Sequence, residues 1–141
     1  MKQFLVLLVV LGLATGCASF SSWKNPSVQL QTRKHFYVES ELADGHNLHT
    51  TIATELRAMG YNVSSGFLTM MPPDTDALVS YTSRWTWDFT TYIIELDMQI
   101  RDPKTGKILA TVYYHRPGVG GTSTEALIQR VLKELIGTKK N

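Results

Sequence analysis

From Lys34 onward, apolar and polar positions alternate or recur in ways that predict discrete elements. The run His35-Phe36-Tyr37-Val38-Glu39 is aromatic and β-branched and predicts a first strand. After a break at Asp44-Gly45, Leu48, Ile52, Leu56 and Met59 recur at helical spacing, with Thr51, Glu55 and Arg57 turned away. That is one apolar stripe on a helix. Gly60 closes it, because glycine takes the left-handed conformation of a C′ cap without steric cost, and a short strand begins at Tyr61 to Val63. Past Met70-Met71-Pro72-Pro73-Asp74 comes the strongest β signal in the chain. Ala77, Val79, Tyr81, Trp85, Trp87 and Phe89 hold odd positions against Ser80, Thr82, Arg84, Thr86 and Asp88. A period of two predicts one buried and one wet face.

The next strand sets Tyr92, Ile94, Leu96, Met98 and Ile100 against Glu95, Asp97, Gln99 and Arg101. Asp102-Pro103-Lys104-Thr105-Gly106-Lys107 is a turn, with Pro setting φ and Gly free to take φ > 0. Ile108 to His115 returns antiparallel, completing a meander. Beyond Gly118-Val119-Gly120-Gly121, the run Thr122-Ser123-Thr124-Glu125 has capping-box spacing. It opens a second helix whose stripe is Leu127, Ile128, Val131, Leu132, Leu135 and Ile136. The order β-α-β-β-β-β-α predicts an α+β fold of two layers. It comprises a mostly antiparallel sheet of four to five strands with two helices on one face.

The amino terminus is of a different kind. Met1-Lys2-Gln3 is a short positive start, and Phe4 to Leu13 is apolar apart from Gly12. A membrane-crossing helix needs about 20 apolar residues, so this shorter run fits the hydrophobic region of a secretory signal peptide. Ala14-Thr15-Gly16-Cys17 then sets small residues before the only cysteine of the 141-residue chain. This tetrapeptide resembles the lipobox of bacterial lipoproteins. The resemblance implies cleavage after Gly16, a diacylglyceryl group on the Cys17 thiol and usually an acyl group on the new amino terminus. Ala18, where aspartate would signal inner-membrane retention, points to the outer membrane. Residues 18–32, rich in Ser and without a sustained period, are expected to be an extended linker. At roughly 3.3 Å per residue such a linker reaches at most about 50 Å. The expected organisation is a signal peptide over 1–16, a lipidated cysteine and flexible tether over 17–32, and one domain over 33–141.

Hydrophobic residues make up 43% of the chain and charged residues 18%, enough apolar side chain for a core and too little charge for disorder. Its 14 basic and 12 acidic residues nearly balance, which argues against a nucleic-acid partner. With one cysteine no internal disulfide forms, so packing alone must hold the fold.

Candidate chemistry is sparse. A strand, a glycine-rich turn and a helix form the outline of an anion cradle, which makes Gly120, Gly121 and Thr122 candidate binding residues. The Lys-Ser/Thr end of a P-loop is absent, and a connector with an ordinary N-cap accounts for the segment. His46 and His49 sit three apart near Glu41 and Asp44, with His35 and His115 elsewhere in strands. A zinc site needs a third ligand and a supporting shell, so no metal and no cofactor is expected. The aromatic residues Trp85, Trp87, Phe89 and Tyr92 are candidates for a sugar-stacking platform. Most of them share a face with Val79 and Tyr81 and are expected in the core. Arg84 and Trp85 are the candidate binding residues of this strand. Asp74 and Asp76 read as turn initiators. No Ser or Cys has the surroundings of a nucleophile.

Three features together resemble a family: the lipobox, the helix end Leu56-Arg57-Ala58-Met59-Gly60-Tyr61, and the strand Asp76-Ala77-Leu78-Val79-Ser80-Tyr81. The chain is similar to small bacterial outer-membrane lipoproteins of a domain-of-unknown-function family. The resemblance implies a periplasm-facing, lipid-anchored, non-catalytic module whose partner is another envelope component, protein or glycan. The competing expectation is an envelope enzyme or small-anion binder using residues 118–124.

Overall fold

A computed structural model describes residues 17–117 and 121–137. The two long alternating runs become the two longest strands, β4 (Ala77–Asp88) and β5 (Thr90–Arg101), joined by a tight hairpin. Around them lie β1 (Ser19–Lys24), β2 (His35–Glu39), α1 (Leu48–Ala58), β3 (Asn62–Gly66), β6 (Ile108–His115) and α2 (Thr124–Ile136). The strands form one sheet in the order β1-β6-β5-β4-β2-β3. Strand β2 pairs in parallel with both β3 and β4, and every other pairing is antiparallel. The fold is α+β, as its periodicities predict.

Both helices contribute to one apolar core with the sheet. Leu48, Ile52 and Leu56 of α1 and Ile128, Val131, Leu132, Leu135 and Ile136 of α2 are buried against Phe36, Val38, Val79, Leu96, Met98, Ile100 and Val112. Local signals hold where they were predicted. Gly60 has φ +95 after α1 and Gly106 has φ +70 in the β5–β6 turn, whereas the α2 cap falls one residue later than the Thr122…Glu125 spacing predicts, the Ser123 side chain accepting the Ala126 N–H.

The structure corrects three expectations. The linker of 18–32 is part of the domain: Ser19–Lys24 is an edge strand paired along its length with β6. Phe20 packs on the core with the Arg130 guanidinium 4.6 Å above its ring, and the Ser22 hydroxyl donates to Glu134 at 2.6 Å. The Lys24 ammonium and the Gln31 amide donate to Gly137 and Ile136 carbonyls, which caps the carboxyl end of α2. Second, β5 slips by one residue. Arg84 pairs with Glu95 but Trp85 pairs with Ile93, so Ile94 is the extra residue of a bulge and Ile93 enters the core in its place.

Third, Trp87 and Phe89 are not core residues; they are 71% and 90% exposed. A 12-residue strand runs about 40 Å, while the 13 residues of α2 cover about 20 Å. The helices end before the hairpin does. Trp87 keeps its place on the helix side of the strand, but neither helix reaches over it. Trp85, one pair nearer the core, is half-buried and stacks on His46 at 4.0 Å, and Tyr92 is buried.

Candidate functional site

Because both helices lie on one side, the opposite face of the sheet stays open. Strand register fixes the layout of that face. Trp23, Thr111, Gln99 and Ser80 stand in one cross-strand row, and Ser21, Tyr113, Asp97 and Thr82 in the next. A shallow depression of about 270 Å³ is lined by Ser21, Trp23, Asp97, Gln99, Thr111 and Tyr113. It continues into neighbouring depressions lined by Thr82, Gln99 and Arg101 and by Arg84 and Glu95. Trp23 is 50% exposed and Tyr113 38%. The result is a shallow, elongated and polar surface with two aromatic rings on diagonal positions.

Charge on this face is mostly internally satisfied. Arg84 reaches Glu95 at 2.7 Å, Glu95 accepts the Tyr113 hydroxyl at 3.1 Å, and Arg101 donates to the Gln99 amide oxygen at 2.7 Å. Partial desolvation and the bond to Glu95 hold the Tyr113 phenol above its ordinary value, so it remains a donor. Asp97 lies beside Tyr113 with no hydrogen bond or ion pair among the described residues.

The sequence candidates scatter. Arg84 is on the open face, whereas Trp85, its neighbour, faces the helices, its indole N–H donating to Ser83. The two do not share a site. Gly120 lies outside the described residues. Gly121 passes close over Tyr92: a Cβ added there would lie 3.0 Å from three of its side-chain carbons. That close approach gives Gly121 a packing reason. Gly121→Val is expected to lower stability by about 1–2 kcal/mol, read by thermal unfolding, because the buried Tyr92 ring must shift. Thr122 is exposed. Cys17 is exposed, two residues before β1.

The histidines serve local structure. His46 stacks on Trp85, and His49 Nδ1 sits 3.6 Å from the Asp44 carboxylate, beyond hydrogen-bond distance. Among the described residues no three His, Cys, Asp or Glu side chains gather as a metal site. Asp74, expected only to start a turn, also pairs with His35 Nδ1 at 2.6 Å. Ser64 lines the same depression, of about 100 Å³, and no hydrogen bond joins it to His35 among the described residues. Asp76 accepts the Lys34 and His35 N–H groups and fixes the entry to β2.

Sequence reasoning missed the site's central rows because Ser21, Trp23, Thr111 and Gln99 come from three strands, one of them unrecognised. The alternation of Ser19, Ser21 and Trp23 with Phe20, Ser22 and Lys24 was the available signal.

The fold has counterparts among solved structures. The PelC dodecamer from Paraburkholderia phytofirmans superposes with a TM-score of 0.60 at 16% identity, over 86% of this chain and 100% of that one. The chain has a PelC-like fold. A DUF4136 family protein from Bacteroides thetaiotaomicron matches at 0.51 with 10% identity, over 82% of this chain and 92% of its own. A PDZ domain protein from Parabacteroides distasonis matches at a TM-score of 0.53 with 11% identity, over 84% of this chain and 35% of that one. The DUF4136 likeness supports, at the level of fold, the resemblance read from the helix end and the β4 strand. The sequence matches no family model and no curated protein. Among the described residues no helix is long and apolar enough to cross a membrane.

Proposed function

We propose that this chain is an outer-membrane lipoprotein, acylated at Cys17 and facing the periplasm, that binds an envelope polysaccharide on its open sheet face without catalysing a reaction. The observation that carries this reading is the uncovered pair Trp23 and Tyr113 flanking Asp97 and Gln99. Aromatic faces stack on the apolar side of a sugar ring, while a carboxylate and an amide accept and donate to its hydroxyls. A shallow groove open at both ends suits a polymer better than an enclosed small ligand. A second copy of the chain is a further partner class, supported by the dodecameric state of the PelC structures with the same fold.

The test is a titration of the purified full-length chain with polysaccharide extracted from its own envelope, read by tryptophan emission. Wild type is expected to bind, and Trp23→Ala to weaken binding about tenfold or more, in line with truncation of a central aromatic contact. Equal binding by both variants moves the site off this face. Shortening of the polysaccharide during the titration makes the chain an enzyme and defeats the non-catalytic reading.

A further inference from the structure

Five of the large apolar side chains that the fold leaves in water, including the two most exposed, Leu42 and Phe89, gather at one end of the sheet. Leu42, Phe67, Leu68, Trp87 and Phe89 are exposed in the segments that follow β2, β3 and β4 or end β4. Since β2 and β3 run parallel to β4, and β1 runs with β5, that end is also where β1 begins. Cys17 therefore shares it.

The hairpin tip stands furthest out. Ser19 pairs with His115, His115 with Glu95 and Glu95 with Arg84, so these four residues mark one line across the sheet. From that line Phe89 lies five residues on, about 17 Å along the strand. Cys17 lies two residues beyond Ser19, at most about 7 Å. The tip thus projects about 10 Å past the Cys17 backbone. The headgroup layer on each side of a bilayer is roughly 5–8 Å thick.

We propose that the β4–β5 tip docks in the bilayer beside the acyl chains of Cys17, with Phe89 lodged at the headgroup–acyl boundary and Trp87 among the headgroups. The proposal rests on the lipidation proposed above. A 10 Å projection, about the depth of the headgroups, carries the Phe89 ring to that boundary, while Trp87, three residues past Arg84, lies about 3 Å past the Cys17 backbone, at headgroup level. Interfacial aromatic rings of this kind are stable there. Trp87 and Phe89 form one apolar wedge, their ring centroids 6.1 Å apart. Asp88 between them limits the depth, because a carboxylate is disfavoured in hydrocarbon. The backbone gives independent support. Phe89 sits at φ +58, a region glycine occupies without strain, and its ring is almost wholly in water. The fold gains nothing from phenylalanine there, and strain of this kind concentrates at functional positions.

The experiment uses the full-length chain purified from bacterial membranes, its acylation read by mass, in phosphatidylethanolamine–phosphatidylglycerol vesicles with and without brominated acyl chains. The emission of Trp87 is taken as the difference between wild type and Trp87→Phe. Brominated lipid is expected to quench that difference about twofold or more, and Phe89→Ser to reduce the quenching. An acylated chain whose Trp87 emission is unquenched overturns the docking and leaves the anchor standing. A sample without acyl chains defeats the anchor, and the docking with it. Unquenched emission together with loss of oligomer mass in Phe89→Ser shows the tip to be a contact between copies, which also overturns the proposal.

Discussion

Replacing Asp44 by alanine is expected to lower the unfolding free energy by about 3 kcal/mol and the thermal midpoint by about 10 °C. Its side chain is 2% exposed and accepts the Tyr81 hydroxyl at 2.6 Å, the Leu48 N–H at 2.6 Å and the His46 N–H at 3.1 Å. The nominal N-cap of α1, Asn47, lies in the left-handed region and makes no side-chain cap. Asp44, four residues ahead of Leu48, does that work instead and puts negative charge at the amino end of the helix. Alanine would leave the hydroxyl proton of Tyr81, buried on β4, without its acceptor and α1 with uncapped donors. One residue joins the first helix to the middle of the sheet.

The same site predicts how stability follows pH. Burial opposes the charged form of Asp44, yet the hydrogen bonds from Tyr81, His46, His49 and Leu48 outweigh it and hold the carboxyl below its ordinary value. Burial, and then Asp44 itself, push the Tyr81 phenol up, so it stays a donor throughout. A folded-state value below the unfolded one means that the unfolded chain takes up the proton first as pH falls. The stabilisation is therefore complete above about pH 4 and is lost as pH drops through the depressed folded value. Asp44→Asn, which keeps the shape but not the charge, should lie about 1–2 kcal/mol below wild type at neutral pH and converge with it in acid. Denaturant titrations at neutral and acid pH check the convergence, and a gap that persists in acid would mean that charge is not what the site uses.

Elements whose inward positions are filled by apolar residues at a regular period were readable from the chain. The α2 stripe from Leu127 to Ile136, the β4 alternation from Ala77 to Tyr81 and the Asp102–Gly106 turn all formed where their chemistry placed them. Strand β1 was hidden because only Phe20 on its inner side is apolar; Ser22 and Lys24 face inward to bond α2. Its partners on and at the end of α2 lie about 110 residues away in sequence, and no local period reports a contact of that range. The β5 bulge at Ile94 was hidden for the opposite reason, since Ile93 and Ile94 are equally apolar and either fits a core position. The exposed aromatic tip was misread because alternation reports which side a residue takes, and only helix length reports whether that side is covered. The open face was legible as Thr82, Arg84, Glu95, Asp97, Gln99 and Arg101. Its aromatic border, Trp23 and Tyr113, comes from the hidden strand and its partner.

Cys17→Ala is expected to move the chain from the membrane fraction to the soluble fraction almost completely, with loss of palmitate label and little change in thermal midpoint. Cys17 is exposed and precedes the first paired residue, so its side chain contributes no packing to the domain. Each acyl chain of about 15 carbons contributes on the order of 12 kcal/mol to partition, and two or more make release negligible. Two rings at a hairpin tip supply about 3–6 kcal/mol of apolar transfer between them. After the entropic cost of association, that sum is too small to survive washing, although it orients a domain already held at the surface. In the proposed arrangement tip and anchor therefore do different things. The single residue between Cys17 and β1, Ala18, allows the domain little freedom, whereas ten Gly and Ser residues inserted between Ala18 and Ser19 should leave the chain in the membrane and release the tip from it. Retention of Cys17→Ala in carbonate-washed membranes would place the anchor elsewhere in the chain and remove the reason for setting the β4–β5 tip in the bilayer.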